Sequence, residues 1–266
     1  CLRLSAGLDF WGFLGSLILG GIILGIYTGL LGYVGAKTGL SLDLLSQRAF
    51  GEKGSYLPSA MTSFTQIGWF GVGSFVSGGT ATPNFARFAK DGKAGAITTV
   101  VAFFIGNSLM FFFGAVSSIF VGGNDIFEVM VRLNLFYLAV LVLGLNIWTT
   151  NDNALYTAGL GLANIFHQRK KPMVLLSGII GTVASVWLYY NFCGWLNILN
   201  CTLPPVGMIL VLAYFMNKKD FETDQPKLKT VDWFAVAGVI LGAIVANLLH
   251  WGIASINGMV VAAVCY

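Results

Sequence analysis

The stretch "GSLILGGIILGIYTGLLGYVG", residues 15–35, contains no charged side chain and carries glycine at positions 15, 20, 21, 25, 29, 32 and 35. An apolar run of this length matches the ~20 residues that a helix needs to cross the hydrocarbon core of a bilayer. In lipid there is little hydrophobic drive to bring helices together. Recurring small residues help instead, because they let two backbones approach closely. The stretch therefore reads as a membrane-spanning helix packed along a glycine-rich side.

The rest of the chain agrees. It has 266 residues, of which 56% are hydrophobic and 10% charged, and its mean hydropathy is +0.79. A soluble domain carries roughly a quarter charged residues, enough to cover its surface. Long apolar runs recur at 10–34, 56–76, 94–121, 133–147, 173–195, 206–216 and 231–251. They lack the polar alternation of an outer-membrane barrel. The fold class expected is an all-α polytopic membrane protein, forming one transmembrane domain over residues 1–266. The net charge of +4 is small and gives no sign of a nucleic-acid partner. Cys1, Cys193, Cys201 and Cys265 have no metal-ligand spacing. Cys193 and Cys201 are close enough to meet across a turn, but a thiol in an apolar helix ordinarily behaves as a small hydrophobe, so no disulfide is expected. The opening "CLRLSAG" lacks an initiator Met, so a preceding segment is expected.

Basic residues mark cytoplasmic loops. "HQRKKP" (167–172) and "NKKDFETDQPKLKT" (217–230) both qualify, with two crossings between them, 173–195 and 196–216. The segment 133–166 crosses once, to the acidic "GGNDIFE", and 94–121 returns to "NFARFAKDGK" (84–93). Within that loop, Arg87 and Asp91 are four apart and read as a solvated ion pair. The loop before it, 36–55, carries Lys37, Arg48 and Lys53 and also reads as cytoplasmic. Only one apolar run separates these two loops, and one crossing cannot join two loops on the same side. Three explanations remain: one loop violates the rule, the run is re-entrant, or an odd number of crossings is absent from it.

Two polar patches interrupt the apolar text. In "GLNIWTTNDNALY" (144–156), Asn146, Thr149, Thr150 and Asn153 share one helical face at i, i+3, i+4 and i+7. Neutral oxygens suit a hard cation such as Na⁺, more so if the helix is interrupted and frees carbonyls. The alternative is that the Thr hydroxyls bond back to the preceding turn and the Asn amides join neighbouring helices. Asp152 faces elsewhere, and an ionisable group at membrane depth usually has a function. In "TQIGWFGVGSFVSGGT" (65–80), Gln66 offers a donor and an acceptor side by side. Trp69, Phe70 and Phe75 offer faces for a planar ring. Aromatics and glycines at such spacing also serve plain packing. Pro204–Pro205 suggests a kink or a helix start. His167 and His250 have no nucleophile or metal partner set, so no enzyme is expected.

The stretches "LGIYTGLLGYVGAKTGLSLDLLSQRAFGEKGSYLPS", "TQIGWFGVG", "GSFVSGGTATPNFARFAK", "GNSLMFFFGA" and "GLNIWTTNDNALYTAGLGLANI" together resemble the nucleobase:cation symporter-1 family over nearly the whole chain. The resemblance implies a leucine-transporter-like inverted-repeat fold, in a bacterial inner membrane, that takes up cytosine with Na⁺ within a single chain. It implies substrate contacts at Gln66, Trp69, Ser74, Phe75 and Ser77, with Asn151 and Asp152 beside them. It implies part of a sodium site at Asn146, Thr149 and Thr150, and no cofactor beyond the coupling ion. The match is incomplete. "TQIGWFGVG" belongs to the family's third helix and "GSFVSGGT" to its sixth, yet here they are fused near 72–74. The family's first helix, the segment between helices three and six, and the C-terminal end have no counterpart. Loss of the internal segment removes an odd number of crossings, as the charge pattern asks. The readings left open are a symporter for cytosine, one for a related nucleobase or hydantoin coupled to H⁺, and a deletion fragment that does not transport. A passive channel is disfavoured, because no ring of charges or carbonyls repeats around an axis.

Overall fold

A computed structural model describes residues 10–72, 82–121, 126–223, 226, 228–249 and 251–266. Helices carry nearly all of the described chain, and no strand occurs among the described residues. The long elements are α1 (Phe10–Thr38), α3 (Tyr56–Val72), α8 (Phe136–Phe166), α9 (Lys170–Tyr190) and α10 (Phe192–Met216). Between α1 and α3 lies the short α2 (Leu42–Phe50), and α4 (Pro83–Ala86) leads into α5 (Gly92–Val101). A π-helical turn, Ala102–Gly106, joins α5 to α6 (Asn107–Val121), and α7 (Ile126–Arg132) precedes α8. The chain ends with α11 (Lys218–Glu222), α12 (Trp233–Leu248) and α13 (Ala254–Cys265).

Among the described residues, four helical stretches are long and apolar enough to cross a membrane: Leu17–Thr38, Gly92–Val121, Lys170–Leu188 and Phe192–Met216. The protein is an all-α polytopic membrane protein, as its composition requires. Exposed apolar side chains such as Tyr137, Phe120 and Val183 are what lipid-facing helices present.

The glycines of 15–35 do what their spacing suggests. A Cβ on Gly32 would meet Thr99 Oγ1 at 2.5 Å and the Gly95 carbonyl at 3.1 Å, and one on Gly35 would meet Pro83 at 2.8 Å. On Gly21 it would meet Phe104 of the π-helical turn at 2.9 Å. This side of α1 therefore lies almost backbone to backbone against α5. At the far end of the chain, α12 and α13 meet in the same way. A Cβ on Gly242 would reach the Gly258 carbonyl at 2.7 Å, and Pro205 of α10 closes over both glycines.

The main core surrounds α2. Leu42, Leu45, Ala49 and Phe50 are buried against Leu31 and Val34 of α1, the run Val206–Tyr214 of α10, Phe221 of α11 and Val239 of α12. Ser41 caps α2 by accepting from the Leu44 amide. Positive φ at Gly51 (86°) then turns the chain so that its neighbours pair with the 229–232 segment.

Four local expectations change. Pro204 and Pro205 do not start a helix, because α10 runs through both. Pro204 has no N–H to give to the Asn200 carbonyl; Ser255 Oγ lies 3.3 Å from that carbonyl and closer to Asn200 Oδ1, at 2.5 Å. The turn between the two crossings falls at Asn191, since α9 ends at Tyr190 and α10 begins at Phe192. Arg87 and Asp91 do not pair: Asp91 caps α5 through the Ala94 amide, and Arg87 reaches Tyr156. Cys201 and Cys265 carry free thiols, so Cys201 is not bridged to Cys193; Cys193 is nevertheless disulfide-bonded, against the expectation of no disulfide.

Candidate functional site

All four basic segments come together at one end of the molecule. Leu42 N–H donates to Asn84 Oδ1 at 2.8 Å, joining the 36–55 segment to the 84–93 segment. Arg48 donates to the Asp220 carbonyl at 2.7 Å, and the Glu52 and Lys53 amides donate to the Lys229 and Thr230 carbonyls at 2.8 Å. Tyr56 Oη lies 2.7 Å from His167 Nε2. The loops at 36–55 and 84–93 thus share one side, as their charges require.

Away from that end, α3 and α8 form an antiparallel pair. Asn164 Nδ2 donates to Ser59 Oγ at 2.9 Å, and a turn further along Ser63 Oγ donates to the Ala158 carbonyl at 3.1 Å. A Cβ on Gly161 would meet the Ser59 carbonyl at 2.8 Å, so only glycine permits this approach. The register continues toward Thr157 and Ala154, both buried, as α3 reaches Gln66, which is itself buried. At Gly68 the α3 backbone lies directly against the indole of Trp195 from α10. Gln66 therefore sits in the protein interior, where an amide must be matched by a partner. The side chain of Trp69, and Ser74, Phe75 and Ser77 entirely, lie outside the described residues.

The second patch lies on an unbroken helix. α8 runs without interruption from Phe136 to Phe166, so no backbone carbonyl is freed within 146–153. Asn146 and Thr149 are exposed and Thr150 is half-buried. Thr149 Oγ1 donates to the carbonyls of Leu145 and Asn146, both at 3.1 Å. This is the back-bonding that the packing alternative describes. It also turns the hydroxyl proton into the helix and leaves the oxygen lone pairs outward, the orientation a cation ligand needs. Asn151 Oδ1 is buried and lacks a hydrogen-bond partner. Gln66 and Asn151 are thus on the two helices that pack together, whereas Asn146 and Thr149 lie on the exposed first half of α8.

Further along α8 come Asn153, two turns on from Asn146 and on the same face, and Asp152 beside it. They line a cavity of about 490 Å³ with Phe85, Phe88, Tyr156 and Lys170. Lys170 Nζ sits 3.4 Å from the Tyr156 ring centroid, and Arg87 donates to the same Tyr156 hydroxyl. One tyrosine so anchors the loop after α4 to α8 and to the start of α9. Sequence reading missed this anchor, because its parts lie in three separate segments. It also missed the polar network around Asp43 and Asn164. The one trace of that network in the sequence is the spacing of Ser55, Ser59 and Ser63 at i, i+4 and i+8.

Comparison with known proteins now applies to this arrangement. The family model for permeases of cytosine/purines, uracil, thiamine and allantoin matches residues 1–82 and 72–265. The chain belongs to this family of permeases. The cytosine permease of Escherichia coli strain K12 is 36% identical over 356 aligned residues, covering 99% of this chain and 84% of that protein. The cytosine permeases of the O6:H1 strain CFT073 and of E. coli O157:H7 match with the same figures. The two segments that match the family model meet at 72–82, where the "GWFGV" and "GSFVSGGT" motifs adjoin. An alignment of 356 positions is also longer than a chain of 266 residues, so the relatives carry residues that have no counterpart here. The permease is a transporter by family and not an enzyme.

Proposed function

We propose that this permease imports cytosine across the inner membrane of a bacterium by Na⁺-coupled symport with alternating access, as a monomer with a leucine-transporter-like inverted-repeat fold. The observation that carries this reading is the 36% identity to a cytosine permease over 99% of the chain. Gln66 and Asn151, with Trp69, Ser74, Phe75 and Ser77, hold the planar base by paired hydrogen bonds and ring stacking. Asn146, Thr149 and Thr150 supply neutral oxygens to Na⁺, whose binding favours the state that admits substrate. The buried setting of Gln66 and the unpartnered Asn151 Oδ1 support the assignment to substrate.

A second reading has a specific observation behind it. α3 carries the chain away from the basic end, yet Asn84 is back beside Leu42. Together with the split family match, this supports an internal junction near 72–74 in a single domain spanning 1–266, and so a deletion product that does not transport.

The deciding experiment is radiolabelled cytosine uptake by proteoliposomes holding the purified chain, under an inward Na⁺ gradient or an inward H⁺ gradient. Accumulation above the outside concentration with Na⁺ alone supports the first reading. Accumulation driven only by the H⁺ gradient replaces the coupling ion. Failure of the purified chain to bind cytosine at all leaves the deletion reading.

A further inference from the structure

The carboxyl of Asp43 is buried near the basic end of the molecule and has no lysine or arginine bonded to it among the described residues. Its side-chain contact is with Ser59, whose hydroxyl donates to Asp43 Oδ1 at 2.6 Å. The direction of that bond is fixed from behind. Gln47 Nε2 donates to Asn164 Oδ1 at 2.6 Å, and Asn164 Nδ2 donates to Ser59 Oγ at 2.9 Å and to Ser55 Oγ at 3.2 Å. Ser55 passes its own proton to the Glu52 carbonyl at 2.7 Å. The chain of donors from α2, α3 and α8 therefore ends on Asp43. One hydroxyl and the backbone are meagre solvation for a buried carboxylate. Ser46 Oγ, one turn along α2 from Asp43, is likewise buried, without a hydrogen-bond partner.

The other titratable groups around α2 are occupied with one another. Tyr56 faces His167, Tyr214 donates to Glu222, and Asp232 pairs with Lys229. Arg48 of α2 itself reaches the Asp220 carbonyl, and Lys218 of α11 lies over Phe215. The Leu42 N–H to Asn84 Oδ1 bond, 2.8 Å, holds the α4 segment beside Asp43, and the field of Arg87 on the loop after α4 is the weakest of the effects that lower the Asp43 carboxyl. The Nε of Arg87 is buried without a partner while its other end holds Tyr156.

We propose that Asp43 is a proton-binding site that sets how firmly the α4 loop is held at the basic end of the bundle. With the proton on, the acid donates locally and Arg87 has no charge to face. With the proton off, the carboxylate draws Arg87, and with it the α4 loop, toward α2. Burial pushes the Asp43 carboxyl up from 3.8 to about 6, against the lowering effects of the Ser59 bond, the α2 backbone and Arg87. The folded value lies above the unfolded one. The associated stability is therefore complete below about 3.8 and is lost as pH rises through about 6. This site stands independently of the transported substrate.

The test is infrared titration of the protonated carboxyl band in purified protein, with Asp43→Asn to assign the band and thermal denaturation of both proteins between pH 4 and 8. The expected result is a band with its midpoint near 6, absent from D43N. The wild type should lose stability relative to D43N across the same window. Arg87→Gln should move the midpoint higher still. A carboxyl titrating entirely in the ordinary range near 3.8 would overturn the proposal. So would a midpoint unchanged by R87Q. If D43N fails to fold, the wild-type and R87Q titrations decide the question alone.

Discussion

Asn164 of α8 joins three helices through one amide: it accepts from Gln47 of α2 at 2.6 Å and donates to Ser59 of α3 at 2.9 Å. In lipid, such bonds hold helices together where apolar burial does little. Asn164→Leu keeps the bulk but strands Gln47 and Ser59. Each unsatisfied buried group costs about 1–3 kcal/mol. The variant should melt at a lower temperature than wild type in detergent, whereas Asn164→Gln should recover part of the loss. Equal melting of N164L and wild type would contradict a structural role for the amide.

Gly161 tests the close approach of the same two helices. A Cβ there falls 2.8 Å from the Ser59 carbonyl, a backbone atom that cannot rotate away. Gly161→Val should force the helices apart and cost about 1–3 kcal/mol, the range for overpacking. Gly114, where a Cβ meets nothing within 4 Å, is the control, and Gly114→Ala should leave the melting temperature unchanged.

The charge pattern and the Leu42–Asn84 bond place the loops 36–55 and 84–93 on one side. Cysteines introduced as Lys53→Cys and Lys93→Cys, in a background without native thiols, should both resist an impermeant maleimide in intact cells. Both should react in inverted vesicles. Labelling from opposite sides would refute the arrangement.

The sodium assignment rests on oxygens, so Thr149→Ala with Thr150→Ala should raise the Na⁺ concentration needed for cytosine binding about tenfold or more, with the affinity at saturating Na⁺ less affected. The Thr149 hydroxyl donates to its own helix, and its removal should therefore cost little stability. An unaltered Na⁺ response in a well-folded double variant would leave packing as the role of this face.

Composition alone decided that this is a helical membrane protein, because too few charged residues exist to cover a soluble surface. The glycines of 15–35 foretold a close helix contact, and the basic loops foretold a shared side, since both signals are carried by residue type at fixed spacing. Local reading failed where distant segments decide the outcome. Pro204 and Pro205 lie within an unbroken α10, and Pro205 packs against Gly242 and Gly258 of two helices far along the chain. The helix at 146–153 remains whole, although its sequence is compatible with a break. Asp43 carried no signal at all: its spacing is that of an ordinary first-turn acid that suits a helix N-terminus. Its burial arises only when α3 and α8 close over α2, and no local pattern encodes that. Residue chemistry fixed the class and the family, while tertiary packing decided which polar groups are shielded from water and so what each of them does.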